Sequence, residues 1–156
     1  MEVVAADWEG RGLGFMYGWG TYVAQIAEVS CNAKFGTVRV DRVVCAVDCG
    51  TCVNPLGVEA QMQSAINFGL AQTLKSEITV SNGRVNQSNF NDYEVLRMNE
   101  APLVTEVHII NNNERPGGVG EPGVPPIAPA VANAIFAATG KRLRRLPIRP
   151  GDLMKS

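Results

Sequence analysis

An α+β fold is expected for this chain, with mixed or antiparallel strands in hairpins packed against two main helices. Three observations carry that expectation. Two alternating strand patterns flank an Asn/Gly loop, two longer segments repeat at helical spacing, and strands and helices do not alternate as they do in a doubly wound sheet. The organisation that follows is a Gly-rich lead-in over residues 1–20, one α+β domain over 21–148 and a tail over 149–156.

Gly10, Gly12, Gly14, Gly18 and Gly20 crowd the first twenty residues, which read as loop rather than element. Residues 21–31 alternate: Val23, Gln25, Ala27, Val29 and Cys31 share one face, and Glu28 and Ser30 the other. Asn32 to Gly36 reads as a hairpin loop. Residues 37–48 begin as an alternating strand and turn continuously apolar from Val43 to Val47, so this strand is expected to run from an edge into a core. Residues 58–74 place Met62, Ile66, Leu70 and Leu74 four apart, with Ala65 and Phe68 filling the stripe. Gly69 inside that helix costs about 1 kcal/mol relative to Ala and marks a close backbone approach. Asn82-Gly83 between short strands is a strong hairpin signal. A further strand is expected over 103–110 and a Gly/Pro loop over 111–126. The helix over 127–139 is apolar around nearly its whole circumference and should be buried on several sides. Gly140 stops it, Lys141 and Arg142 favour its negative end, and a short strand over 142–148 closes the domain.

Composition excludes several function classes. In 156 residues, Lys plus Arg is 14 and Asp plus Glu is 15, a balance without the basic excess of a nucleic-acid or anionic-membrane binder. Charged residues make 19% against roughly 25% in a typical soluble domain, which suggests that part of the surface is covered by something else. No apolar run is long enough to span a membrane. The first residues lack the basic, apolar pattern of a secretory signal, so a cytoplasmic location is the default, with a periplasmic one requiring a partner.

The loop Gly117-Gly118-Val119-Gly120-Glu121-Pro122-Gly123 contains a literal G-x-G-x-x-G. A dinucleotide-phosphate loop is disfavoured: Glu121 sets a carboxylate where phosphate would lie, and Pro122, Pro125 and Pro126 remove N–H donors. Two readings of Glu121 remain. One is a positioned base in a water-poor pocket; the other is a turn carboxylate capping the following helix. Cys45, Cys49 and Cys52 form C-x3-C-x2-C with Cys31 on a neighbouring strand; structural, reduced thiols fit better than a metal site, because the spacing matches none of the standard ones. His108 shares a strand face with Glu106 and reads as structural or surface. Lys141, Arg142, Arg144, Arg145 and Arg149 read as a solvated face, with a docking surface for a partner or phosphate as the alternative.

The runs AVDCGTCVNPLGVEAQ, INFGLAQTL, QSNFNDYEVLRM and PGGVGEPGVPPIAPAVANAIFAATGKRLRRLP, with GTYVAQIAEVS near the start, resemble the C-terminal part of the large molybdopterin-binding subunit of molybdenum hydroxylases. That is the xanthine dehydrogenase and aldehyde oxidase family, and isoquinoline 1-oxidoreductase-like β subunits resemble the chain most. The resemblance implies the family's C-terminal molybdopterin-binding α+β domain. It implies hydroxylation of an aldehyde or N-heteroaromatic carbon with water-derived oxygen. By motif position Glu121 is the active-site base, and Gln61, Gly118 and Gly120 are cofactor contacts; no residue here is assigned to the metal. The implied cofactor is molybdenum-molybdopterin, as the cytosine dinucleotide. The implied partners are the remainder of the large subunit and a small 2Fe–2S subunit, with neither nucleic acid nor a membrane span. The family's subunit is several times longer, so an isolated chain is expected to lack cofactor and activity and to self-associate through uncovered faces. The competing reading is a non-catalytic α+β module for assembly or partner binding.

Overall fold

The structure, a computed structural model, describes residues 7–32 and 34–154. Four strands form one sheet in the order β1-β2-β3-β6: β1 (Trp8–Gly18), β2 (Thr21–Asn32), β3 (Thr37–Asp48) and, after α1 (Pro55–Leu74) and the small hairpin β4 (Val80–Ser81) and β5 (Arg84–Val85), β6 (Val104–Ile109). β1, β2 and β3 run antiparallel, and β6 lies parallel to β3. α2 (Ile127–Thr139) packs on β1 and β2 and against α1, and a helical turn α3 (Pro150–Leu153) ends the described chain.

The lead-in is therefore not loop: residues 8–18 are an edge strand, and the rest of the supposed lead-in before Asp7 lies outside the described residues. Its glycines are what conceal it. Gly10, Gly12 and Gly14 lie two apart, on the strand face that meets α2. A β-carbon on Gly10 would collide with the Ala134 carbonyl, on Gly12 with Ala130 and Ala134 backbone, and on Gly14 with the Pro126 carbonyl. Over residues 10–14 the strand buries backbone where others bury side chains, so no apolar period marks the middle of its buried face, although Trp8 and Met16 pack on the core at its ends.

β2 alternates as expected, with Thr21, Val23, Gln25, Ala27, Val29 and Cys31 all buried. In β3 the pairing shifts between Glu28–Arg42 and Val29–Val40, leaving Asp41 as an extra residue. That bulge exchanges the two faces: Val40 is buried before it, and Val43, Cys45 and Val47 after it. The change from alternating to continuous apolar sequence is the trace of the bulge.

α1 begins three residues earlier than its apolar pattern, at Pro55, because Asn54 caps it: Asn54 Oδ1 accepts from the Gly57 amide at 3.1 Å. Met62, Ala65, Ile66 and Leu70 are buried as expected, but Phe68 is exposed and Val58, Gly69 and Thr73 complete the stripe. Gly69 does mark a close approach, since a β-carbon there would strike Ile127. The Asn82-Gly83 hairpin forms, both residues having positive φ (51° and 75°). The strand expected over 142–148 is absent; the segment is irregular, with a cis Leu146–Pro147 peptide. The tail over 149–156 also contributes to the core, through Leu153 of α3.

The helices cover one face of the sheet only. On the other, Leu13, Ile26 and Val44 stand in one row across three strands and Phe15, Ala24 and Ala46 in the next. The Tyr17 and Tyr22 rings stack there with centroids 4.3 Å apart. Leu13, Phe15, Tyr17, Tyr22 and Ile26 are all exposed.

Candidate functional site

The loop from Gly117 to Gly123 is hung from three places in the fold. The Gly117 amide donates to the Cys49 carbonyl at 2.8 Å, at the end of β3. The Gly118 amide donates to the Trp19 carbonyl at 2.8 Å, and its carbonyl accepts from Thr21 Oγ1 at 2.8 Å, both at the β1–β2 turn. The Gly123 carbonyl accepts from the buried Gln25 Nε2 at 2.8 Å. The supporting turn is itself unusual, since Trp19 holds φ 55° and Gly20 φ 75°; a bulky residue rarely adopts that region.

Those attachments account for most of the glycines. A β-carbon on Gly117 would strike Thr21 and Gly20, on Gly118 would press within 3.1 Å of Trp19, and on Gly123 would lie 2.7 Å from that of Ala65. Gly120 is different. Its backbone is not left-handed, and the nearest atom to a β-carbon there is Gln61 Nε2 at 3.9 Å, an ordinary contact. Neither backbone nor packing within this chain requires glycine at 120. A bare α-carbon at that place leaves room for something from outside.

Glu121 follows Gly120 at the exposed rim, and its carbonyl accepts from Val124 in a turn. The water-poor pocket expected around its carboxylate is not built by this chain alone, since Glu121 is exposed. The capping reading is overturned: α2 starts after Pro126 with no side-chain cap. Gln61, on the exposed side of the first half of α1, lies beside Gly120, and its side-chain amide has no partner among the described residues. Thus Gln61 and Gly120 meet at one exposed rim with Glu121 next in the chain, whereas Gly118 packs on Trp19, both its backbone polar groups being held by β1–β2.

The remaining candidates disperse. Cys45 lies in the core against Gln25, 3.9 Å from its Nε2, and burial pushes its thiol up to about 11. Burial, with Asp41 adding to it, does the same for Cys31. Among the described residues no three His, Cys, Asp or Glu side chains are arranged to hold a metal ion. His108 is a surface residue 3.6 Å from Glu106, whose carboxyl is held below the usual range by its hydrogen bond from Arg42. The basic cluster is largely exposed, as a solvated face would be, and its members take different partners. Lys141 Nζ donates to the Met154 carbonyl at 2.7 Å, so it serves α3 rather than the end of α2; Arg142 lies over the Phe136 ring; Arg145 and Arg149 pair with Glu77.

The α+β layer thus has one bare sheet face, and its anchored loop sets an exposed carboxylate beside a glycine that packing does not require. Among known families, residues 4–102 match the model of the molybdopterin cofactor-binding domain, and the chain belongs to that family. Similar proteins include the isoquinoline 1-oxidoreductase subunit beta of Brevundimonas diminuta, 40% identical over 83% of this chain and 16% of its own length. Another is the membrane-bound aldehyde dehydrogenase (pyrroloquinoline-quinone) of Gluconacetobacter polyoxogenes, 36% identical over 88% of the chain and 18% of its own. The quinoline 2-oxidoreductase structure from Pseudomonas putida 86 superposes with a TM-score of 0.77 over 85% of this chain and 18% of that one, at 23% identity, a likeness of fold. The chain thus spans under a fifth of the length of these relatives. The expected α+β class and family both hold. Glu121 lies beyond the matched segment.

Proposed function

We propose that this chain is the C-terminal wall of the active site in a molybdenum hydroxylase large subunit, with Glu121 as the base. The observation that carries the reading is Gly120, bare without structural need, between an unpaired Gln61 amide and an exposed carboxylate. The residues fit a pterin cofactor on that ground: the Gln61 amide can hydrogen-bond its polar edge, and the Gly120 α-carbon allows close approach, with Gly118 a further contact by its place in the same loop. When bound, the molybdenum cofactor, in the cytosine dinucleotide form, supplies the two-electron chemistry. This chain's own residues do the rest. Glu121 accepts at its carboxylate the proton of the water-derived oxygen that becomes the product hydroxyl, on an aldehyde or N-heteroaromatic carbon. The anchors at Cys49, Trp19, Thr21 and Gln25 fix the loop backbone on either side of Glu121, and positioning of the base is where its rate advantage originates. Water is excluded only when the remainder of the large subunit closes over the rim, and the bare sheet face is suited to dock it. A small 2Fe–2S subunit completes the electron path. In the complete enzyme, Glu121→Gln keeps the side chain's shape but cannot accept the proton. Its kcat should fall by about 10²–10⁴-fold with molybdenum content unchanged. An unchanged kcat at full cofactor loading would overturn the assignment.

A further inference from the structure

Cys49 and Cys52 bracket the bend between β3 and α1, separated by Gly50 and Thr51. Cys49 is 3% exposed and Cys52 half-buried. Cys49 belongs to the buried core, and Cys52 packs against that core from the other side of the bend. Cys31 and Cys45 stand apart from them, Cys45 in the core beside Gln25 and Cys31 opposite Val38 near the far end of β2. The bend is also fixed at its backbone. The Gly50 amide donates to Asp48 Oδ1 at 3.1 Å, and the Thr51 amide and hydroxyl donate to the Glu114 carbonyl at 3.0 and 2.9 Å. All four cysteines are free thiols.

We propose that Cys49 and Cys52 are a reversible oxidation site, closing to an intrachain disulfide with a peroxide or a small-molecule disulfide as oxidant. With hydrogen peroxide, the more accessible Cys52 sulfur attacks one peroxide oxygen, the O–O bond breaks, and one water leaves with Cys52 as the sulfenic acid. The Cys49 sulfur then displaces that oxygen as a second water. Two thiols lose two protons and two electrons, and the peroxide takes them. With a small disulfide, Cys52 attacks first and releases one thiol; Cys49 attacks the Cys52 sulfur and releases the other. Cys49 is buried and Cys52 half-buried, so the oxidant meets Cys52 first and Cys49 is left to resolve it. The ring would tie the bend whose Cys49 carbonyl holds Gly117, so it bears on the support of the Glu121 loop without depending on any role for Glu121.

The test is native oxidation of the chain with a small molar excess of oxidised glutathione or hydrogen peroxide. Titratable thiols should fall from four to two, the intact mass should fall by two hydrogens, and peptide mapping should join Cys49 to Cys52. Dithiothreitol should restore all four. Cys49→Ser treated with oxidised glutathione should retain a stable glutathione adduct on Cys52, since the resolving thiol is gone. The wild-type peptide map decides the matter even if a variant folds poorly. A persistent glutathione adduct on wild-type Cys52, over-oxidation without a crosslink, a crosslink involving Cys31 or Cys45, or four unreacted thiols would each overturn the proposal.

Discussion

Gln25 Nε2 donates to the Gly123 carbonyl at 2.8 Å, and this bond ties the buried face of β2 to the loop that carries Glu121. It lies in the core, where the alternative to this partner is an unsatisfied carbonyl rather than water. Gln25→Leu should therefore cost about 1–3 kcal/mol, the penalty for orphaning a buried polar group. Denaturant unfolding measures that loss. Hydrogen exchange should show the start of α2 opening more readily than in the wild type, whereas an apolar swap that repacks cleanly would leave both unchanged.

The glycine face of β1 makes a second prediction. Gly12→Ala forces a methyl group into the backbone of α2 at Ala130 and Ala134. Overpacking of this kind typically costs 1–3 kcal/mol, and about that or more is expected here because the obstacle is backbone, not a side chain that can rotate. Gly151→Ala is the control, as nothing lies within 4 Å of a β-carbon there. A Gly12→Ala chain with an unchanged melting temperature would show that α2 does not pack on β1 as described.

How much was legible in the sequence follows from what each element buries. β2 and α1 bury side chains at their proper periods and could be read directly. The middle of β1 meets α2 through the α-carbons of Gly10, Gly12 and Gly14, so its period of two is written there in glycine, and glycine ordinarily marks a loop. Segment 142–148 has apolar Leu143, Leu146 and Ile148 but is held by contacts distant in sequence, such as the Ile148 amide on the Thr73 carbonyl at 2.8 Å. For the site, Glu121 stood out by its setting among glycines and prolines. The Trp19–Gly20 turn and the Gln25 tether did not, because each acts through a partner about a hundred residues away.

Alkaline pH should weaken the fold. Burial first, and then Asp41 at Cys31, raises the Cys31 and Cys45 thiols from an ordinary 9.0 to about 11. The folded state keeps these protons where the unfolded chain has begun to lose them. Their contribution is fully present below about pH 9 and is lost as pH rises towards about 11. Chemical denaturation at pH 8 and pH 10.5 should show the fall, and Cys45→Ala should reduce its slope while lowering stability at both values.

The bare sheet face should behave as an uncovered interface in the isolated chain. Leu13, Phe15 and Ile26 lie in adjoining rows there, and contiguous apolar surface of that kind marks interaction sites. Hydrophobic-dye binding and sedimentation should both report it, and Phe15→Lys with Ile26→Lys should diminish both signals without changing the α1–α2 packing on the opposite face. A monomeric chain that binds no dye would place this face outside any interface.

Gly120 separates what the fold needs from what the site needs. A β-carbon at 120 meets only the end of Gln61, residue 120 is exposed and its backbone is not left-handed, so Gly120→Val should move the stability of the chain by no more than about 0.5 kcal/mol, like other surface substitutions. If the bare α-carbon exists for a ligand, the same change in the complete enzyme should lower molybdenum and pterin content severalfold, because the added methyl groups occupy the approach. Gln61→Ala should lower it less, removing one hydrogen-bond donor but adding no obstruction, a net effect of about 0.5–1.5 kcal/mol. Metal analysis alongside thermal denaturation distinguishes the outcomes. Full cofactor content in Gly120→Val would move the cofactor away from this rim, and a large stability loss would show that the glycine serves packing after all.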